Sequence, residues 1–165
     1  MFDLGTVQSV VERSIGGSPR GVRSVFIPIS EKWAIKLFGN TGSCNAVMKN
    51  HRACLNAGMA PEMGEMFMLP EPINGDGRGY TCGYFVEIVE TCPNLDGNGA
   101  DYLRTHGEEE LEKARAEVEA WRSELYPLIR DLVDEICEKT GWYFDDAHVY
   151  NWGKKNGKFI PIDFD

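Results

Sequence analysis

The last twenty residues of the chain carry carboxylate, imidazole and amide groups at short spacings. Asp146, His148 and Asn151 lie in one segment, and a further carboxylate, Asp163, follows soon afterwards. Carboxylate and amide oxygens are the hard ligands that Mg²⁺ accepts, and a carboxylate can also take a proton from a hydroxyl group. These residue types indicate a site for a phosphate compound with its metal ion.

Phosphoryl transfer needs further parts earlier in the chain. A lysine must neutralise phosphate charge, and a backbone with few side chains must cover the phosphates. Lys36 and the glycines Gly16, Gly17 and Gly21 are candidates for these two parts. Each has an ordinary alternative, since a strand lysine is often solvated and a glycine cluster is often a turn. A loop residue such as Asp146 can likewise serve only local backbone hydrogen bonds.

Taken together, the order and spacing of these residues resemble the protein-kinase-like superfamily, in the short form of the aminoglycoside and small-molecule phosphotransferases. The D-x-H-x-x-N pattern at 146–151 resembles the catalytic loop, and Ile-Asp-Phe at 162–164 resembles the second metal-binding segment. Residues 33–36 (WAIK) resemble the strand with the phosphate-contacting lysine. Residues 85–90 (FVEIVE) resemble the edge strand and hinge that receive adenine.

The resemblance implies ATP and Mg²⁺ as cofactors and gives each position a role. The nucleotide would be held by six positions, which are the loop glycines Gly16, Gly17 and Gly21, the phosphate-contacting Lys36, and the adenine-binding backbone of Glu87 and Val89.

The chemistry, in the same resemblance, belongs to the end of the chain. Asp146 would act as catalytic base or orient the acceptor hydroxyl, together with Lys36 at the phosphates. Asn151 and Asp163 would bind Mg²⁺, and His148 would support the loop.

One departure from the family pattern concerns the helix that follows the lysine strand. In the family this helix supplies a glutamate to the lysine, but residues 39–61 contain no acidic residue. Asn50 and His51 occupy the inward polar positions, and Glu62 or Glu65 could substitute from beyond the helix. A second departure is that the sequence ends at Asp165, one residue after the Asp163-Phe164 motif. We therefore expect no peptide-docking platform, and an apolar surface for a homodimer or a protein partner.

The sequence patterns of the elements that must position these residues predict an α+β fold. We expect an amino-terminal antiparallel sheet of four or five strands with one helix inserted after the third, and a minimal, mostly helical second lobe that ends in a β-hairpin. One kinase-like domain would span 1–165, with lobes at 1–90 and 91–165. The periodicity predicts a helix at 4–11, strands at 22–29, 33–38, 63–69 and 80–89, a turn-rich stretch at 70–79, and a helix from Thr41 to Ala57 that is capped by Thr41 or Ser43 and ended by Gly58.

The stretch 108–139 is acidic and strongly helical. An apolar stripe of alternating three and four spacing runs from Leu111 to Leu132, which suits a coiled-coil seam or, as we prefer, two core helices. Pro127 favours two helices because proline breaks a helix interior but is tolerated in a first turn. Farther on, Asn156 and Gly157 predict a two-residue hairpin turn.

Composition narrows the class of protein. A chain of 165 residues with 42% hydrophobic residues can form a folded core, and a net charge of −9 argues against a nucleic-acid partner. The sequence shows no membrane segment or secretory signal. Its five scattered cysteines suggest buried, reduced thiols, so we expect a cytoplasmic protein.

Three functions remain compatible with the sequence. The first is a minimal ATP- and Mg²⁺-dependent phosphotransferase, whose acceptor the sequence does not identify and whose chemistry could instead be nucleotidyl transfer. The second is a catalytically impaired pseudokinase that acts by binding a protein partner. The third is a small acidic interaction protein in which the motifs are accidental.

Overall fold

The computed structural model describes residues 3–14, 24–75, 77–95 and 99–165. The described chain forms two compact units. Unit 1 extends to Ile88 and regains Phe164–Asp165, whereas unit 2 comprises Val89–Asp163. The described elements form the expected mixed α+β fold, with five α-helices and two antiparallel sheets of four and three strands.

Unit 1 is built on the four-stranded sheet, with strand order β1-β2-β4-β3. Its elements in chain order are α1 (Leu4–Ser14), β1 (Ser24–Pro28), β2 (Trp33–Phe38), α2 (Thr41–Asn56), β3 (Met63–Gly75) and β4 (Arg78–Glu87). Two described strands precede α2, whereas the sequence predicted three.

The two faces of this sheet pack against different helices. Side chains alternate along a strand, so neighbours on β2 face opposite ways. Leu37 joins a buried cluster that contains Val11 of α1. The next residue, Phe38, stacks on Tyr84, whose hydroxyl contacts His51 of α2. Each helix therefore covers one face.

Helix α2 covers the predicted range, but its amino-terminal cap differs from the prediction. The cap is Asn40, whose extended backbone lets its side-chain oxygen accept from the Ser43 N–H at 2.8 Å. Thr41 and Ser43 are therefore inside the helix, and the prediction of either as the cap is wrong. At the other end, Ala57 is the C-cap and Gly58 takes the left-handed conformation with φ +74°.

The prediction of a turn-rich stretch at 70–79 is wrong over most of that range. Strand β3 continues to Gly75, and β4 begins at Arg78. The two prolines of this stretch are tolerated because β3 is an edge strand, where one side of the backbone needs no partner. The pairing with β4 shifts between Met68 and Ile73, which brackets the prolines.

Tyr80 gives a stability prediction for unit 1. Its side chain is 1% exposed, and its hydroxyl has no hydrogen-bond partner among the described residues. Burying a polar group without a partner costs free energy, so Tyr80→Phe should raise the free energy of unfolding by up to about 1 kcal/mol. Tyr84→Phe is the matched control, since the Tyr84 hydroxyl lies 3.0 Å from His51 Nδ1, and it should lower that free energy by about 1 kcal/mol. Urea unfolding of both variants measures the two changes in free energy. If both substitutions changed it in the same direction, the assignment of an unpartnered Tyr80 hydroxyl would be wrong.

Unit 2 combines three helices with the three-stranded sheet, in strand order β5-β6-β7. Its elements are β5 (Glu90–Thr91), α3 (Ala100–His106), α4 (Glu108–Leu125), α5 (Ile129–Thr140), β6 (Trp152–Lys155) and β7 (Lys158–Pro161). The predicted hairpin turn is confirmed, because Asn156 and Gly157 both have positive φ, at 53° and 75°. None of the helices in the described ranges combines the length and the apolar character needed to cross a bilayer.

The predicted pair of core helices is confirmed, but the continuous stripe is not. The first five residues of the apolar stripe lie in α4 and are buried, whereas Leu128, the next residue of the stripe, is 47% exposed. Helix α5 instead buries Val133 and Ile136. Pro127 lies in the turn at 126–128, so the chain enters α5 with a new helical phase. The same break excludes one coiled-coil seam through both helices.

The five cysteines are free thiols, as their scattered positions predicted. Four are buried and Cys137 is half-buried. Burial, reinforced by the neighbouring Cys82, raises the pKa of the Cys44 thiol to about 12. Cys44 therefore acts as a small apolar side chain rather than as a nucleophile.

Candidate functional site

The segment between α5 and β6 presents Asp146 to solvent while it buries its neighbours. Val149 is 1% exposed, and the indole of Trp152 is fully buried. The Trp152 Nε1–H donates to the Ala147 carbonyl at 3.1 Å. Residues Val149–Asn151 form one 3-10 turn between these anchors. The Asp146 side chain is 74% exposed, so a hydroxyl compound can reach its carboxylate.

Asn151 closes this segment with its side-chain amide. Its Nδ2 donates to the Asp146 carbonyl at 2.8 Å, and lies 3.2 Å from Asp146 Oδ2 and 3.1 Å from His148 Nε2. Carbonyl and carboxylate oxygens only accept, so the group that faces Asp146 is the NH₂ and Oδ1 points away from it. The Asn151 Nδ2 group therefore makes local hydrogen bonds, which are the ordinary alternative to a functional role for these residues. No hydrogen bond within the described ranges uses Oδ1.

His148 lies beside Asn151, and its predicted supporting role stays a prediction. Its Nε2 accepts from the Asn151 amide, whereas the 3.6 Å between Nε2 and Asp146 Oδ2 exceeds hydrogen-bond length. The imidazole therefore contacts the loop through Asn151 and not through the carboxylate.

The β6–β7 hairpin brings the second carboxylate segment beside Asn151. Strand pairing places Trp152 opposite Pro161, and one step further the Ile162 N–H donates to the Asn151 carbonyl at 3.0 Å. Asp163 is the next residue in the chain. The hairpin thus joins the two predicted ligand segments, and metal binding by Asn151 and Asp163 stays a prediction.

The donor set suits Mg²⁺ that arrives with a nucleotide. An amide oxygen and a carboxylate are hard ligands, and Mg²⁺ usually takes one or two protein ligands with phosphate oxygens and waters. Within the described ranges, no three His, Cys, Asp or Glu side chains form a group that could hold a metal ion.

Lys36 lies in unit 1, in the middle of β2. It is paired with Phe26 on one side and with Tyr84 on the other, and it is 7% exposed. Helix α2 contains no acidic residue along its described length, so it offers Lys36 no carboxylate.

Of the two glutamates predicted as substitutes, Glu65 pairs with Arg52, whereas the hydrogen bonds described for Glu62 use its backbone. Glu65 lies 3.5 Å from Arg52 Nη1, and its side chain is 85% exposed. The Glu62 backbone pairs with Glu87, because the Glu62 N–H donates to Glu87 Oε2 and the Glu87 N–H donates to the Glu62 carbonyl, each at 2.9 Å.

The pairing of Glu62 with Glu87 limits which backbone group of Glu87 could bind adenine. Since the Glu87 N–H is bonded to Glu62, Glu87 can offer adenine only its carbonyl. The chain passes from unit 1 to unit 2 between Ile88 and Val89, which puts the two predicted adenine-binding residues in different units. Gly16, Gly17 and Gly21, predicted to cover the phosphates, lie outside the described residues.

His51 is a fully buried histidine whose environment the sequence patterns did not reveal. Its Nε2 lies 2.8 Å from the Pro61 carbonyl and its Nδ1 lies 3.0 Å from the Tyr84 hydroxyl. A carbonyl only accepts, so Nε2 carries the proton and Nδ1 accepts from Tyr84. The pKa of His51 is lowered to about 4, chiefly by burial; the Pro61 bond opposes this shift, and the charges of Lys36 and Arg52 add to it.

Phe164, the residue after Asp163, is held by α2. Its ring is 1% exposed and stacks on His51 with centroids 4.2 Å apart and planes at 9°. Its carbonyl accepts from Asn50 Nδ2 at 3.1 Å. The two inward polar residues of α2 thus both bind Phe164. Sequence spacing alone could not show this, because the partners lie 114 positions apart.

A shallow groove of about 380 Å³ lies within unit 2, between α5 and the segment that follows it. Its lining includes Arg130, Asp134, Tyr143, Asp145 and Ala147, and does not include Asp146. The groove combines an aromatic ring with charges of both signs.

Comparison with known proteins adds no relative. No protein-family model, curated protein or solved structure matches the chain. Any statement about its function therefore depends on the residues described above.

Proposed function

We propose that the protein binds ATP together with Mg²⁺ and transfers the γ-phosphoryl group to a hydroxyl acceptor. The observation that carries this proposal is the loop at 146–151, in which an exposed carboxylate, an amide oxygen and the following Asp163 segment come together. Phosphoryl transfer depends mainly on positioning and on charge neutralisation, which is what such a donor set provides.

Each residue has a definite part in the proposed reaction. Asp146 takes the proton of the acceptor hydroxyl, whose oxygen forms a new bond to phosphorus while the bond to the ADP oxygen breaks. Asn151 Oδ1 and the Asp163 carboxylate hold the cation, and the Lys36 ammonium contacts the α- and β-phosphates. Mg²⁺, when bound, neutralises charge on the phosphate oxygens.

A pseudokinase is the second candidate, and one observation favours it. The inward polar residues of α2, Asn50 and His51, are bonded to Phe164, Tyr84 and Pro61, and the helix has no carboxylate. A protein that binds nucleotide without turning it over would need no carboxylate in this helix.

Calorimetric titration with ATP tests the nucleotide proposal. We expect binding that requires Mg²⁺ and weakens about tenfold in Asp163→Ala, a loss of about 1.4 kcal/mol that corresponds to one metal ligand. Asp165→Ala, a carboxylate two residues further on, is the matched control and should leave the affinity within twofold. Absence of heat at millimolar ATP would exclude both nucleotide-binding functions and would leave the acidic interaction protein.

A further inference from the structure

The groove between α5 and the segment that follows it has a lining of mixed chemistry. Arg130 contributes a guanidinium, Asp134 contributes a carboxylate, and Tyr143, which is 63% exposed, contributes an aromatic ring. Val133 and Phe144, which are both buried, add apolar surface to the same lining. The volume of about 380 Å³ falls within the range of roughly 300–1,000 Å³ that small-molecule sites occupy, so the groove can hold a compound of the size of an amino acid.

Arg130 and Asp134 lie about one helical turn apart, yet they do not pair with each other. Side chains four positions apart on a helix are neighbours, and an ion pair between them is stronger when the acidic residue comes first. The helical ion pairs described in unit 2 follow this order, as Glu135 does with Lys139. Arg130 and Asp134 have the reverse order, and neither side chain makes an ion pair or a hydrogen bond with a described residue. Both charges are therefore available to a ligand.

We propose that this groove binds a small zwitterion that carries both an ammonium and a carboxylate group, as a free α-amino acid does. The Arg130 guanidinium pairs with the carboxylate of the ligand, because its planar donors match that group in a bidentate manner. The Asp134 carboxylate accepts hydrogen bonds from the ammonium, and an apolar side chain of the ligand packs against Tyr143. The inference does not depend on the proposed phosphoryl transfer, because the groove lies within unit 2 and its lining does not include Asp146.

The two opposite charges favour a zwitterion over a simple ion. A ligand with a carboxylate alone would pair with Arg130 but would bring a like charge close to Asp134, which is unfavourable. A ligand with an ammonium alone would meet the same conflict at Arg130. The Cβ atoms of side chains four positions apart on a helix are about 5–6 Å apart, so one short ligand that carries both groups can reach both residues.

Nuclear magnetic resonance of the ¹⁵N-labelled full chain tests the site with L-phenylalanine at about pH 6, where amino groups carry a proton. We expect a saturable titration, with a Kd on the order of 1 mM, that shifts the backbone amide signals of residues 129–134 and 143–147. Two derivatives each lack one charge of the ligand. The methyl ester has no carboxylate and N-acetyl-L-phenylalanine has no ammonium, so each should bind about tenfold more weakly than the amino acid.

Two variants connect each charge of the ligand to one residue. Arg130→Gln should weaken the binding of phenylalanine about tenfold and should not weaken that of the methyl ester, which has no carboxylate to lose. Asp134→Asn should weaken the binding of both these ligands and should not weaken that of N-acetylphenylalanine. Arg115→Gln and Glu138→Gln are the matched controls, since both residues are exposed and lie outside the groove, and they should bind phenylalanine as the wild type does.

Three results would overturn the inference. If phenylalanine at concentrations on the order of tens of millimolar shifts none of these signals, the groove is not a site for this class of compound. Equal affinities for phenylalanine and its two derivatives would show that the apolar side chain alone is bound. Weaker binding of the methyl ester in Arg130→Gln would show that Arg130 does not act by pairing with the carboxylate.

Discussion

Asp146→Asn is expected to slow the release of labelled phosphate from ATP about a thousandfold, with nucleotide binding unchanged. A general base contributes roughly 10²- to 10⁴-fold to rate, and the amide of asparagine cannot accept the proton of the attacking hydroxyl or water. The substitution keeps the main-chain carbonyl to which Asn151 Nδ2 donates at 2.8 Å, so the loop should keep its shape. Labelled γ-phosphate gives the rate, and calorimetry gives the affinity.

Asp145→Asn is the matched control for this experiment. Asp145 precedes the proposed base, is exposed, and makes no hydrogen bond or ion pair with another described residue. Its variant should retain the rate with water as acceptor. An unaltered rate in Asp146→Asn would show that another group removes the proton. A wild type that binds Mg²⁺ and ATP without releasing phosphate would favour the pseudokinase.

The free energy of unfolding should fall by about 3 kcal/mol between pH 6.5 and pH 4 through His51 alone. Burial lowers the folded-state pKa of His51 to about 4, whereas the unfolded histidine titrates near 6.5. Above pH 6.5 both states are neutral and the contribution is complete. As the pH falls below 6.5 the unfolded state takes up a proton that the folded state rejects. The loss ends near pH 4, where the folded state is protonated too.

His51→Gln isolates this contribution from that of the carboxylates. Glutamine does not titrate, and its amide can still donate to the Pro61 carbonyl. Urea unfolding from pH 7 to pH 4 should therefore give a flatter profile for the variant than for the wild type. His106→Gln, which removes an exposed histidine of α3, should reproduce the wild-type slope. Parallel profiles for His51→Gln and wild type would contradict the lowered pKa.

Local patterns predicted those parts of the fold that local forces determine. The Asn156–Gly157 turn follows from the positive φ angles that these residues tolerate, and the end of α2 follows from Gly58. The 3-10 turn with its Asn151 contacts lies within six residues of sequence, so spacing was informative there as well.

The patterns failed where distant packing decides. Prolines ordinarily end a strand, yet β3 continues through them because its edge position in the sheet removes the penalty. The helical phase of the apolar stripe changes at the turn that contains Pro127. Helix α3 is short and buries no residue, so its sequence has no apolar pattern that would predict it. The role of Asn50 and His51 depends on a residue 114 positions away, which no periodicity along α2 could indicate.

The membership of Phe164 in unit 1 also has a consequence for how the protein folds. The sheet and both helices of unit 1 precede unit 2 in the chain, but the ring that stacks on His51 follows it. During synthesis the first unit can pair its strands early, while the place of Phe164 stays empty until the whole of unit 2 has been made. Closing so long a loop is entropically costly and slow, so this contact should form last. A ribosome-bound chain that stops within unit 2 would then carry a less stable first unit than the finished protein.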